Sequence, residues 1–252
     1  MVGSWTMPGT LRGEYLESSN PQGWLRGREP GSKAGGGDFS AGGRGMEPSE
    51  IERLFTRGNG SYLFARWGRP IVPVVFGVED ASLGVVKGAF EAVVALAGHT
   101  MAETDPELGA NLMVFFVSDW DALRAVPKLD RLIPDLIPLL DRLEGVNANQ
   151  YRIFRFEASG AIKAAFVFIR MDRQLAAVPA ETVALSQAVQ TILLWSDVAF
   201  QDVAPLAVIS GHAVLRPEIA AVIRAGYDRM LPGVAQDPAH ALRLAARVGR
   251  LI

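Results

Sequence analysis

With 252 residues, 49% of them hydrophobic, the chain can bury a core large enough to fold unaided, yet no apolar stretch reaches the roughly 18 to 20 uninterrupted residues of a membrane-spanning helix. The complete lack of cysteine excludes disulfide scaffolds, thiolate zinc sites, iron–sulfur clusters and cysteine nucleophiles. A formal charge of -2 with both signs interspersed gives no electrostatic footprint for nucleic acid.

Residues 1–45 hold nearly half of the 26 glycines, including Gly35-Gly36-Gly37, and few aliphatic side chains, so burial cannot offset the entropy of ordering them. They are expected to be a disordered leader. They lack the positive start, apolar stretch and small-residue cleavage site of a secretory signal, which makes the cytoplasm the default location. At Met46 the pattern changes: Met46-Glu47-Pro48-Ser49-Glu50 sets acids and a proline at a helix start, and apolar periodicity begins at Ile51. Residues 46–252 therefore read as a single domain. The leader is either a flexible tail or an extension upstream of a native start at Met46.

Residues 71–78 are β-rich, and Pro73 suits a strand end or sheet edge. Leu83, Val86, Phe90, Val93, Val94, Ala97 and Met101 then recur at helical spacing and predict an amphipathic helix. Residues 111–117 form a second strand, and residues 119–143 a helical stretch that Pro127, Pro134 and Pro138 must break into pieces. Residues 151–157 alternate, Ala158-Ser159-Gly160 can turn them into 164–169, and the pair predicts an antiparallel hairpin. Its single apolar face is drawn from Ile153, Phe154 or Phe156, and Phe166 or Phe168.

A core-facing helix is expected over 180–200, marked by Leu185, Val189, Ile192 and Leu193. A further helix carries Ile219, Val222, Ile223, Gly226 and Met230, and a last one, capped by Asp237-Pro238, carries Leu242, Ala245 and Val248. The order β-α-β-α-β-β-α-α-α predicts an α+β fold: a mixed, partly antiparallel sheet of about four strands packed by helices, with a helical C-terminal half.

Neither G-x-x-x-x-G-K-[ST] nor G-x-S-x-G occurs, so nothing announces a phosphate cradle or a hydrolase serine, and no cofactor is called for. Ser210-Gly211-His212 reads as a loop, because adjacent residues rarely face each other as nucleophile and base. His99 is placed to meet the last carbonyls of the first long helix, and His240 to sit exposed in the first turn of the last. Arg243, Arg247 and Arg250 form a solvated face of that helix. The acids Asp119, Asp121, Asp130, Asp135, Asp141 and Glu144, interleaved with Arg124, Lys128, Arg131 and Arg142, read as salt-bridged surface rather than a metal site.

Leu185-Ser186-Gln187-Ala188-Val189-Gln190, Asp197, Asp202, Arg224-Ala225-Gly226-Tyr227-Asp228 and Pro232-Gly233 together resemble an uncharacterised proteobacterial family, domain of unknown function 2927. The layout of sheet, hairpin and long central helix is also similar to zincin metalloproteases. The zincin motif H-E-x-x-H falls on Ser186-Gln187-Ala188-Val189-Gln190, where a hydroxyl and amides replace the imidazoles that ligate zinc and the carboxylate that activates water. That likeness implies a scaffold without its reaction, binding no metal and serving protein or peptide binding at a sheet edge or beside the central helix. Two alternatives stand beside it. One is a hydrolase using Ser186, His212 and Asp202, or Asp197; the other is a structural subunit anchored by Trp67, Trp120 and Trp195.

Overall fold

A computed structural model describes residues 15–19 and 46–251. The chain runs β1 (Tyr15–Ser19), α1 (Pro48–Phe55), β2 (Phe64–Ala65), β3 (Pro73–Phe76), α2 (Asp80–Leu96), β4 (Leu112–Val117), α3 (Asp121–Arg124), α4 (Leu129–Leu132) and α5 (Leu136–Gly145). It continues through β5 (Gln150–Phe156), β6 (Ile162–Arg170), a 3-10 turn at Leu175–Ala177, α6 (Ala180–Ile192), β7 (Leu206–Ile209), β8 (His212–Leu215), α7 (Pro217–Gly226), β9 (Val234–Ala235) and α8 (Ala239–Val248).

The fold is α+β, built on one mixed sheet of order β1-β5-β6-β4-β3. β3 and β6 flank β4 in parallel, and β5 runs antiparallel to β6. Pro73 opens the edge strand, where its missing N–H interrupts the ladder least. The expected hairpin turns at Gly160, whose φ of 85° is in the left-handed region that glycine enters without steric cost. The Pro-punctuated stretch breaks into α3, α4 and α5 around Pro127 and Pro134, whereas Pro138 does not break it and sits in the first turn of α5, where its missing N–H loses no helical bond. Among the described residues no helix is long and apolar enough to cross a membrane.

The hairpin differs from expectation in having both faces buried. Phe154, Ile162, Val167 and Ile169 join the core beneath α2 and α6, while Tyr151, Ile153, Phe166 and Phe168 join a second core beneath α3, α4 and α5. Helices on both sides of the sheet leave β5 no solvent face, so its alternation of apolar and polar residues does not separate inside from outside.

Other expectations shift at element ends. α6 stops at Ile192 rather than near Phe200, because Leu194 N–H donates to Ala65 O (2.9 Å) and draws the chain into extended pairing with β2. α7 stops at Gly226, where the Arg66 guanidinium takes the carbonyls of Gly226 (2.9 Å) and Asp228 (3.1 Å), and Met230 lies exposed beyond it. Leu83 and Leu242 face solvent; the buried stripe of α8 is His240, Ala241, Leu244 and Val248. Two small antiparallel pairs, β2 with β9 and β7 with β8, were not foreseen. The second turns on Ser210-Gly211, both with positive φ, as a two-residue hairpin requires.

The expected leader had no element, yet Tyr15–Ser19 pairs antiparallel with β5 over five positions, from Tyr15 opposite Arg155 to Ser19 opposite Tyr151. The remaining leader positions lie outside the described residues.

Two glycines make opposite predictions. Gly77 has φ 77°, and an added Cβ would lie 1.9 Å from the Phe116 carbonyl oxygen, so Gly77→Ala should lower unfolding stability by at least about 2 kcal/mol. Gly88 is exposed within α2 with open space around it, so Gly88→Ala should raise stability by about 0.5 to 1 kcal/mol. Urea unfolding of both variants checks the pair.

Candidate functional site

α6 carries Ser186, Gln187, Gln190 and Thr191 into the interior, because one side of the helix packs on α2 and the other on the sheet. Ser186, Gln190 and Thr191 bond within the helix. Gln190 Nε2 donates to Ser186 Oγ (3.0 Å), and the Thr191 hydroxyl donates to the Gln187 carbonyl. Gln187 reaches across to β5: its Nε2 donates to Gln150 Oε1 (2.9 Å), and its Oε1 accepts from Arg152 Nη2.

Arg152 is 1% exposed, and the same Nη2 also donates to Gln150 Oε1 at 3.1 Å. Among the described residues, its Nε and the Nε2 of Gln150 have no hydrogen-bond partner. Burial drives the guanidinium pKa down to about 9, and among the described residues no anion opposes that shift. The node is therefore a buried positive charge held by two side-chain amides, with more N–H donors than acceptors. It lies directly beside the strand edge that β1 occupies, since Ser18 is the register partner of Arg152.

Sequence reasoning passed over Arg152 and Gln150, although the signal was there. Arg152 and Arg155 are three apart in a strand, so they point to opposite faces, and no orientation of a two-sided sheet puts both in water. Both are buried, and Arg155 lies over the Phe166 ring at 5.0 Å.

The structure does not gather Ser186, His212 and Asp202. Ser186 is wholly inside, whereas the Ser210-Gly211 turn leaves His212 exposed at the start of β8, and Asp202 is exposed on the loop after α6. Asp197 accepts the Gly58 N–H (3.1 Å) and so secures a turn. Trp67, Trp120 and Trp195 are all buried, their indole N–H groups donating to the carbonyls of Thr191, Ala148 and Val189, so none is a surface anchor. Among the described residues no group of three or more His, Asp or Glu is placed to hold a metal.

The stretch Arg224-Ala225-Gly226-Tyr227-Asp228 forms a joint. Tyr227 Oη donates to Ile192 O (2.8 Å) at the end of α6, Arg66 lies 5.6 Å from its ring, and Asp228 accepts from Arg247 (3.0 Å). His99 does not meet its own helix's carbonyls; its Nε2 bonds the Arg69 carbonyl (2.9 Å) and its ring packs near Tyr227. The side chain of Arg69 ties Asp105, Glu107 and Glu157 together, with Lys163 joining through Glu107. Arg124 pairs with Asp121 and Asp141 as the expected salt-bridged surface.

His240 corrects a further expectation, because it is buried rather than exposed. Its Nδ1 shares a hydrogen bond with Tyr62 Oη (2.9 Å), its ring stands 4.4 Å from that of Phe64, and its Nε2 has no partner among the described residues. The register of α8 turns Leu242 out and this imidazole in, between β2 and the helix.

Comparison with protein-family models, with curated proteins and with solved structures finds no match for the chain.

Gln187→Leu strips the buried guanidinium of one of its two acceptors and should cost about 2 to 4 kcal/mol of unfolding free energy. Replacing the whole node by Gln150→Leu, Arg152→Met and Gln187→Leu together should recover most of that loss in the same urea titration. His240 adds a pH dependence. Burial first, then the charges of Arg243 and Arg66, lowers its pKa from 6.5 to about 4, so the unfolded chain takes up the proton before the folded one does. Its contribution is complete above about pH 6.5 and is lost as pH falls toward 4, by about 3 kcal/mol in total. Stability curves of the native chain and of His240→Asn should converge across that window.

Proposed function

We propose that the chain is a non-catalytic binding domain whose sheet accepts an extended peptide segment along the side of β5 that β1 occupies. The observation that carries this reading is the antiparallel seating of Tyr15–Ser19 on β5. That segment is separated from the body by the Gly-rich stretch 20–45 and occupies the edge as a peptide ligand would. Strand addition of this kind draws affinity from main-chain hydrogen bonds and specificity from alternate side chains.

The likeness to zincins enters the proposal as ancestry. The helix positions that carry zinc chemistry in that class are Ser186, Gln187 and Gln190 in this chain, and their hydrogen bonds go to one another and to β5. On this reading the central helix stiffens the strand that receives the peptide. The burial of Ser186 and the outward placement of His212 count against the hydrolase alternative, and the burial of all three tryptophans against the anchored-subunit one.

The test vacates the edge in the full chain. Leu16→Pro with Glu17→Pro removes an N–H from each side of β1, so whichever side faces β5 loses its bond. Hydrogen exchange at the β5 amides should quicken by about tenfold or more. A fluorescein-labelled peptide of residues 13–21 should then bind the variant, with anisotropy reporting the titration, and restore protection. Unchanged exchange at β5, or no binding of the peptide, overturns the proposal.

A further inference from the structure

The arginines elsewhere in the fold show what is unusual about the β5 edge. Arg69, itself partly exposed, is matched by three carboxylates, and Arg124 and Arg247 each find at least one. Arg152 is more deeply buried than any of these, yet its acceptors among the described residues are two neutral amide oxygens. Its Nε–H and the Gln150 Nε2 amide add unspent donors at the same place. A buried cation with surplus donors is complementary to an anion, and a charge-assisted bond there is stronger than a neutral one because water is excluded.

The pairing register says where that anion can come from. Directly opposite residues of antiparallel strands share a sheet face with Cβ atoms about 4.5 to 5.5 Å apart. Ser18 is opposite Arg152, and Leu16 is opposite Phe154, which is buried in the core beneath α2 and α6. A strand added at this edge therefore presents one residue to Phe154 and, two positions later, one residue to Arg152.

Resting on the peptide-binding reading above, we infer that the partner is an extended segment with an apolar residue opposite Phe154 and, two residues further on, an aspartate or glutamate opposite Arg152. The chain's own β1 has the apolar residue, Leu16, but a serine where the acid belongs. It thus acts as a weaker occupant that a matched acidic segment displaces. The ligand class is an acidic β-strand peptide read by one buried guanidinium.

The experiment uses the full chain with Leu16→Pro and Glu17→Pro and three labelled peptides of residues 13–21: the native sequence, Ser18→Asp and Ser18→Lys. Anisotropy titrations should rank Ser18→Asp at least about tenfold tighter than native and Ser18→Lys weaker. On an Arg152→Met background the Ser18→Asp advantage should vanish. Should that background fail to fold, Ser18→Asp placed in the otherwise native chain gives a second measurement, with β5 amides expected to exchange about tenfold more slowly. Equal affinities for the three peptides overturn the inference while leaving peptide binding standing. No binding by any of them overturns both.

Discussion

A guanidinium taken out of water is the constraint around which this fold is arranged. Desolvating a charge of that kind costs several kcal/mol unless hydrogen bonds replace its hydration, and Arg152 draws its replacements from two elements at once, Gln150 on its own strand and Gln187 on α6. The bond to Gln187 makes the central helix and β5 a single unit, because neither can slide without stripping the charge. The hydroxyl and amides further along α6 follow from the same placement: once that helix lies between α2 and the sheet, every polar group on it has to find a partner within the protein.

Away from the node, charge sits near the surface and ties element ends together. Arg66 gathers the carbonyls that end α7, Arg69 fastens the turn after β5 to the 105–107 loop, and Tyr227 holds the end of α6. These contacts determine where helices stop, which hydrophobic periodicity does not report. That is why the expected helix over 180–200 is too long: its apolar pattern runs on through Leu193 and Leu194, but their backbone has left the helix to pair with Arg66 and Ala65.

The order of the larger elements was legible in the sequence because each is written in local periodicity: the α2 stripe, the alternation of β5, the prolines between α3 and α5. What was not legible depends on the far side of a contact. The second core beneath α3, α4 and α5 turned the hairpin from a half-exposed pair into one buried on both faces. The orientation of α8, which buries His240 and exposes Leu242, is decided by Tyr62 and Phe64, more than 170 residues earlier in the chain. The polar set Ser186, Gln187 and Gln190 was marked out only by the likeness to the zincin motif, and the partners of Gln187, namely Gln150 and Arg152, are across the sheet and share no local pattern with it.

The seating of Tyr15–Ser19 on β5 joins two parts of one chain, and this sets the terms of any competition for that edge. A tethered segment meets its site at an effective concentration of about millimolar, whatever the amount of protein in solution. A separate strand arrives only as often as its own abundance allows. Under the proposed peptide binding, occupancy of the edge would report how much of a rival segment is present against a fixed internal reference, which dilution of the protein leaves unchanged.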